Sequence, residues 1–164
     1  MTQSVEKINI ADLIAQRVWL APAETNKQQV LEQSARLLCE ADPALHFEEI
    51  FPQILAREEE LSTTLDSGLS IPHVRLENFD KTVAALAVLP RPLQDSNGLP
   101  IKAVFLFITP VRSEFFQTHL LVLSAAVERF SPSFMDKLAV CQTPEEIVQL
   151  LQQPPSAEND IISL

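Results

Sequence analysis

The chain has 164 residues, 46% of them hydrophobic, which is enough for one well-buried domain and too short for two comfortable ones. Twelve Lys and Arg against twenty-two Asp and Glu give a formal charge of −10, which argues against nucleic acid or anionic lipid as the main partner and favours a basic protein. Apolar runs stay well below the roughly 18 to 20 residues of a membrane span, and the N-terminus lacks a secretory signal pattern, so we expect a cytoplasmic chain without membrane insertion.

The N-terminal part predicts one short strand and two helices. Residues 18–20 are a strand-like apolar run. Thr25 or Asn26 can cap the helix that follows, and Asp42-Pro43 ends it. A second helix is predicted over Phe47–Glu60, and its acidic end, residues 58–60, is predicted to be a solvated helix face.

Three further strands are predicted at residues 69–71, 82–89 and 101–108, with Arg91-Pro92 and Asn97-Gly98 as turn material between the last two. The run at 101–108 is almost uniformly apolar, as expected of a central strand covered on both faces. The pattern predicts an α/β domain in residues 1–153 whose sheet has helices on both faces, followed by a loose tail at 154–164.

Helices are predicted over residues 113–130 and 133–139, and from Thr143 onward. The first of these carries four apolar residues at helical spacing, which we expect to face the core. They are Phe116, Leu120, Leu123 and Val127.

The segment 57–75 holds the residues best suited to chemistry. It contains one of only two glycines, Gly68, and this sparing use predicts a positive φ or a close approach of another group. Pro72 precedes His73, so the imidazole is presented from a stiff strand end.

Neutral imidazole offers one unprotonated nitrogen near pH 7, so His73 is either a nucleophile for phosphoryl transfer or a structural histidine satisfied by hydrogen bonds. Arg57 or Arg75 could clamp the phosphoryl oxygens, and nearby hydroxyls could donate to them. These hydroxyls belong to Thr63, Thr64, Ser67 and Ser70.

Two other histidines have weaker signals. His119 lies on or beside the apolar face of its predicted helix, as a structural residue or as a second imidazole pointing at His73. His46 is assigned to capping or to the surface. No phosphate-binding glycine loop and no Cys/His cluster with metal spacing occurs, so no metal and no cofactor is expected.

In combination these residues resemble the enzyme IIA domain of the fructose/mannitol class of the bacterial phosphoenolpyruvate-dependent phosphotransferase system, including its nitrogen-related regulatory branch. The likeness covers nearly the whole chain and rests on an ordered set of motifs. The set is Arg57-Glu58, Ser62-Thr63, Gly68, Ile71-Pro72-His73, Gly98-Leu99-Pro100, the apolar strand ending at Pro110, and His119-Leu120.

The resemblance implies a mixed β-sheet flanked by helices. It implies that His73 accepts a phosphoryl group from a histidine phosphocarrier protein, and that His119 and Arg57 bind or orient the phosphate. The family loop has two more glycines than this chain, which carries Thr64 and Asp66 there, and Val74 replaces a glycine after the histidine.

Three functions follow as hypotheses. The first is a free-standing nitrogen-related regulatory enzyme IIA that carries phosphate on His73 and acts on a regulatory target protein. The second is a sugar-specific enzyme IIA that passes the phosphate to a cysteine of a IIB domain. The third is a binding module of the same fold that has lost phosphotransfer.

Overall fold

A five-stranded mixed sheet organises the fold in the computed structural model, which describes residues 8–60 and 62–154. The sheet order is β1-β4-β5-β2, and β3 also pairs with β5; β4 and β5 are antiparallel and the other pairs are parallel. Apart from Pro154, the predicted tail lies outside the described residues. The strands are β1 (Val18–Leu20), β2 (Leu69–Ser70), β3 (His73–Leu76), β4 (Val83–Gln94) and β5 (Pro100–Pro110).

Helices cover both faces of the sheet, as the sequence predicted. Successive residues of the central strands alternate between the two cores: Phe105 and Phe107 pack on one side, and Val104 and Leu106 on the other. Helices α2 and α3 cover the Leu106 face, and the remaining four cover the Phe105 face. The helices are α1 (Ile10–Ile14), α2 (Lys27–Cys39), α3 (Phe47–Glu60), α4 (Phe116–Arg129), α5 (Pro132–Ala139) and α6 (Pro144–Gln152).

The helix ends follow from local hydrogen bonding. Asn26 caps α2 in a reciprocal capping box with Gln29, so the second of the two predicted caps is the one used. The bounds of α3 are those predicted, and the carbonyl of exposed His46 accepts its first backbone hydrogen bonds. The five-residue helix α1 and strand β3 were not predicted, because both are too short for a clear periodicity.

The prediction of a turn at Arg91-Pro92 was wrong. Strand β4 continues through these residues to the turn at Asn97-Gly98, with a register irregularity between Val88 and Leu93. β1 pairs with β4 only as far as Val88, so β4 is an edge strand beyond that point. An edge strand tolerates prolines because their missing N–H groups are not required for pairing.

The loop before His73 closes with a single glycine. Leu65 N–H donates to Leu69 O at 2.8 Å and Gly68 N–H to Leu65 O at 3.0 Å, which forms a tight turn. Gly68 has φ +94°, and a Cβ atom there would lie 2.8 Å from side-chain carbons of Lys102. Since no other residue described in this loop has a positive φ, the two further glycines of the family pattern are not needed for its closure.

The predicted buried face of α4 was wrong. Phe116, Leu120 and Val127 are 51%, 48% and 50% exposed, and Leu123 is only half-buried. The helix instead buries a neighbouring face that holds a histidine and two smaller apolar side chains. These are His119, Val122 and Ala126.

We predict that Gly68→Ala destabilises the fold more than Gly98→Ala. Both glycines have positive φ, but an added Cβ meets Lys102 only at Gly68 and has nothing within 4 Å at Gly98. We expect a loss of about 1 kcal/mol at Gly98 and about 2 to 3 kcal/mol at Gly68, measured by urea unfolding. Equal losses would show that the approach of Lys102 carries no cost.

Candidate functional site

His73 begins β3 and lies against β5. Its Cα pairs with that of Phe107, and the two rings are stacked with centroids 5.2 Å apart and planes 17° apart. The Nδ1 atom is 2.8 Å from the carbonyl oxygen of Ile71. Because a carbonyl oxygen only accepts, Nδ1 carries the proton and Nε2 keeps the free lone pair.

The structure brings His119 to His73, which the sequence spacing could not decide. The ring centroids are 5.1 Å apart and the ring planes make an angle of 62°. His119 is 7% exposed, and its Nδ1 atom is 2.8 Å from the hydroxyl of Thr109 at the end of β5. Phe107 also packs against it, with centroids 5.3 Å apart, so one phenyl ring contacts both imidazoles.

A pocket of about 150 Å³ opens beside His73. Its volume is several times the roughly 30 Å³ that one water molecule occupies in the liquid, so a small anion has room there. Arg57 is the cationic side chain of its lining. Arg75 donates instead to the backbone oxygens of Pro110 and Arg112, at 3.1 and 3.4 Å, and so holds the end of β5.

The prediction of a solvated acidic face was wrong for Glu58. Its side chain is 5% exposed, lies 3.4 Å from the Lys27 ammonium, and accepts a hydrogen bond of 3.1 Å from the hydroxyl of Thr63. Glu58 and Glu60 line the pocket, and Glu59 and Glu60 are exposed. The sequence signal that points to Glu58 is its place in the Arg-Glu motif beside Arg57.

Thr63 and Ser70 are connected by hydrogen bonds. The Thr63 hydroxyl accepts from Ile71 N–H at 3.2 Å and lies 3.3 Å from the Ser70 hydroxyl. Since the one proton of Thr63 goes to Glu58, Ser70 donates to Thr63. Ser70 is 1% exposed and does not line the pocket, whereas Thr63 does.

Asp95, in the β4–β5 turn, stabilises the loop ahead of His73, a contact that the sequence did not predict. Its carboxylate accepts from the Ser62 hydroxyl at 2.7 Å and from two backbone N–H groups, those of Asn97 and Leu99. The hydrogen bond from Ser62 is the main cause that lowers the pKa of Asp95 to about 2, and the two N–H groups lower it further. Asp66, which stands where the family pattern has a glycine, is exposed and does not line the pocket.

Both imidazoles are neutral near pH 7. Burial lowers the pKa of His73, and the charge of Arg57 lowers it further, against opposing effects of the Ile71 hydrogen bond and Glu58. Burial is also the main cause that lowers the pKa of His119 to about 4, followed by repulsion from His73 in its protonated form and from the charges of Arg75 and Arg57. A neutral imidazole can attack as a nucleophile through its unprotonated nitrogen and donate a hydrogen bond through its N–H.

Solved structures that share this fold include enzyme IIA domains. The model of the family described as "Phosphoenolpyruvate-dependent sugar phosphotransferase system, EIIA 2" matches residues 13–153, and the chain belongs to this family.

Curated relatives include the nitrogen regulatory protein of Pseudomonas aeruginosa, 29% identical over 77% of this chain and 82% of the relative. The nitrogen regulatory protein of Bradyrhizobium diazoefficiens is 27% identical over 90% of this chain and 97% of the relative. The structure of nitrogen regulatory protein IIA-Ntr from Neisseria meningitidis matches with a TM-score of 0.73 and 25% identity over 87% of this chain and 99% of that one. The fold is shared with the mannitol enzyme IIA of Escherichia coli, solved in complex with phosphorylated enzyme IIB. That structure matches with a TM-score of 0.66 and 16% identity over 84% of this chain and 94% of that one.

Within residues 8–60 and 62–154, no helix is long and apolar enough to cross a membrane. No group of three or more His, Cys, Asp or Glu in the same ranges is arranged to hold a metal ion.

We predict that protonation of His119 destabilises the fold. Its pKa is about 4 in the folded state and about 6.5 in a free side chain, so the unfolded state binds more protons between these values. The free energy of unfolding therefore falls as pH falls from about 6.5 to 4. His119→Asn keeps a side-chain acceptor for Thr109 and removes this titration, so the stability difference between wild type and variant should narrow toward low pH.

Urea unfolding at several pH values between 7 and 4.5 measures this difference. His46→Asn, at an exposed position outside the site, is the control for the loss of a histidine as such. Stability curves of wild type and His119→Asn that stay parallel over this range would contradict the prediction.

Proposed function

We propose that this protein is a phosphoryl carrier in which His73 accepts a phosphoryl group from a histidine phosphocarrier protein. The observation that carries the proposal is the fixed tautomer of His73. Nδ1 is held by Ile71 O, so Nε2 is left as the nucleophile on a ring that lines a pocket with Arg57. A histidine with a purely structural role needs neither the pocket nor a second imidazole 5.1 Å away.

The transfer step is an in-line displacement on phosphorus. The Nε2 lone pair of His73 forms the new N–P bond as the N–P bond to the donor imidazole breaks, and the electron pair of that bond returns to the donor nitrogen. The proton on Nδ1 of His73 stays there, and Ile71 O stabilises the positive charge that the ring acquires. The donor ring leaves as a neutral imidazole if its other nitrogen is protonated.

Negative charge on the transferring group is balanced by donors around the pocket. Arg57 supplies a guanidinium with paired N–H donors, and His119 supplies a ring N–H. Thr63 stays a candidate phosphate ligand because it lines the pocket. Thr63 donates its proton to Glu58 in the unphosphorylated protein, so phosphate binding by Thr63 requires this hydrogen bond to change, while Ser70 keeps its hydrogen bond to the Thr63 oxygen.

We favour a regulatory protein of the nitrogen-related branch over a sugar-specific enzyme IIA. The support is that the curated relatives named above are nitrogen regulatory proteins and that a IIA-Ntr structure covers 87% of the chain. The partner downstream would then be a regulatory target protein. Transfer to a cysteine of a IIB domain is the alternative, supported by the shared fold of a mannitol IIA that is solved in complex with its IIB.

Mass measurement of the intact protein tests the transfer. After incubation with phosphoenolpyruvate, the general first enzyme and the histidine phosphocarrier, wild type should gain one acid-labile phosphate. His73→Ala should gain none, and Arg57→Gln should slow uptake about a hundredfold, as expected for loss of one charge-stabilising donor. Arg91→Gln, at an exposed arginine of the β4 edge, is the matched control and should behave as wild type.

A contact-only binding module is the second candidate, and the exposed apolar residues of α4 favour it. Phe116 and Leu120 flank His119 and are about half exposed, so they present apolar surface beside the site whether or not His73 takes phosphate. Absence of any mass gain with an active carrier would replace phosphotransfer by this function.

We predict that Leu120→Asp weakens docking of the phosphocarrier. A carboxylate beside the site removes apolar contact area and should lower the rate of phosphate uptake about tenfold at low carrier concentration. Val127→Asp is the matched control, since Val127 is equally exposed but lies about 10 Å further along α4. Equal effects of the two variants would contradict docking next to His119.

A further inference from the structure

Thr109 is a polar residue at the buried end of an apolar strand. It follows the apolar residues 103–108 of β5 and is 0% exposed. Its hydroxyl is 2.8 Å from Nδ1 of His119. Thr109 is two residues beyond Phe107 on β5, so both side chains point to the face on which the two imidazoles lie.

The direction of this hydrogen bond follows from burial. Within the described residues, the Thr109 hydroxyl has His119 Nδ1 as its one hydrogen-bond partner. If Nδ1 were the donor, the hydroxyl proton would be left buried without an acceptor, which is costly. Thr109 therefore donates to Nδ1, and the proton of the neutral His119 ring lies on Nε2.

We propose that Thr109 is a positioning residue that holds His119 in the Nε2-protonated tautomer, so that His119 donates a hydrogen bond to the phosphoryl group on His73. This role rests on the proposed function. The opposite tautomer would turn a lone pair toward the phosphoryl oxygens and repel them. The lowered pKa of His119 keeps the ring neutral, so its tautomer decides whether Nε2 can donate.

The first test is the tautomer itself. ¹⁵N-labelled protein near pH 7 should show His119 with a protonated Nε2 and an unprotonated Nδ1 in long-range ¹H–¹⁵N correlation spectra. Thr109→Val keeps the shape of the side chain without the hydroxyl and should give a mixture of tautomers. Thr109→Ser restores the hydroxyl and should restore the single tautomer. An unprotonated Nε2 in wild type, or an unchanged tautomer in Thr109→Val, would overturn the proposal.

The second test is the rate of phosphate uptake from the phosphocarrier. Thr109→Val should slow uptake about five- to tenfold, the effect of one hydrogen bond, and Thr109→Ser should be close to wild type. In a His119→Ala background, Thr109→Val should add no further loss, because Thr109 acts through His119. Urea unfolding of each variant separates a loss of rate from a loss of folded protein.

The two proposals fail in different ways. A wild type that takes up no phosphate would overturn the proposed function and the role of Thr109 in transfer, while the spectra would still decide the tautomer. If wild type takes up phosphate but Thr109→Val slows uptake by the same factor in the wild-type and His119→Ala backgrounds, only the role of Thr109 is overturned.

Discussion

The pairing of β3 with β5 is the constraint on which the site depends. Phe107 N–H donates to Pro72 O at 3.2 Å, and the register sets His73 opposite Phe107. The same strand then presents Thr109 on the same face, where it holds His119. One buried strand thus sets both imidazoles, so a register slip by one residue would turn Phe107 and Thr109 to the other face and separate the rings.

Hydrogen bonds on the protein side determine what the two rings offer to a ligand. Ile71 O holds the proton of His73 on Nδ1, and the Thr109 hydroxyl occupies Nδ1 of His119. Burial keeps both rings neutral because a charged imidazole would lose hydration there. Two charged imidazoles 5.1 Å apart would also repel each other. The site therefore presents one free lone pair and one N–H, with Arg57 as the cationic side chain lining the pocket.

The loop ahead of His73 keeps its shape with fewer glycines than the family pattern because neighbouring elements support it. Gly68 supplies the one positive φ among the described residues of this loop, and its approach to Lys102 fixes the turn against β5. Asp95 reaches from the β4–β5 turn to Ser62, and Glu58 reaches from α3 to Thr63. Of the two loop side chains that replace glycines of the family pattern, Asp66 is exposed and Thr64 is half-buried.

The sequence by itself determined the class of fold, the bounds of α3, the strand that became β5 and the candidate residues His73, Arg57 and His119. These rest on local rules, namely hydrophobic period, capping and an ordered motif. Only the tertiary structure decided which face of α4 is buried, and that Glu58 and Thr109 hold the site. Spacing along a chain shows which residues share a face of a helix, whereas the face that docks and the partner of a buried hydroxyl depend on residues far away in sequence.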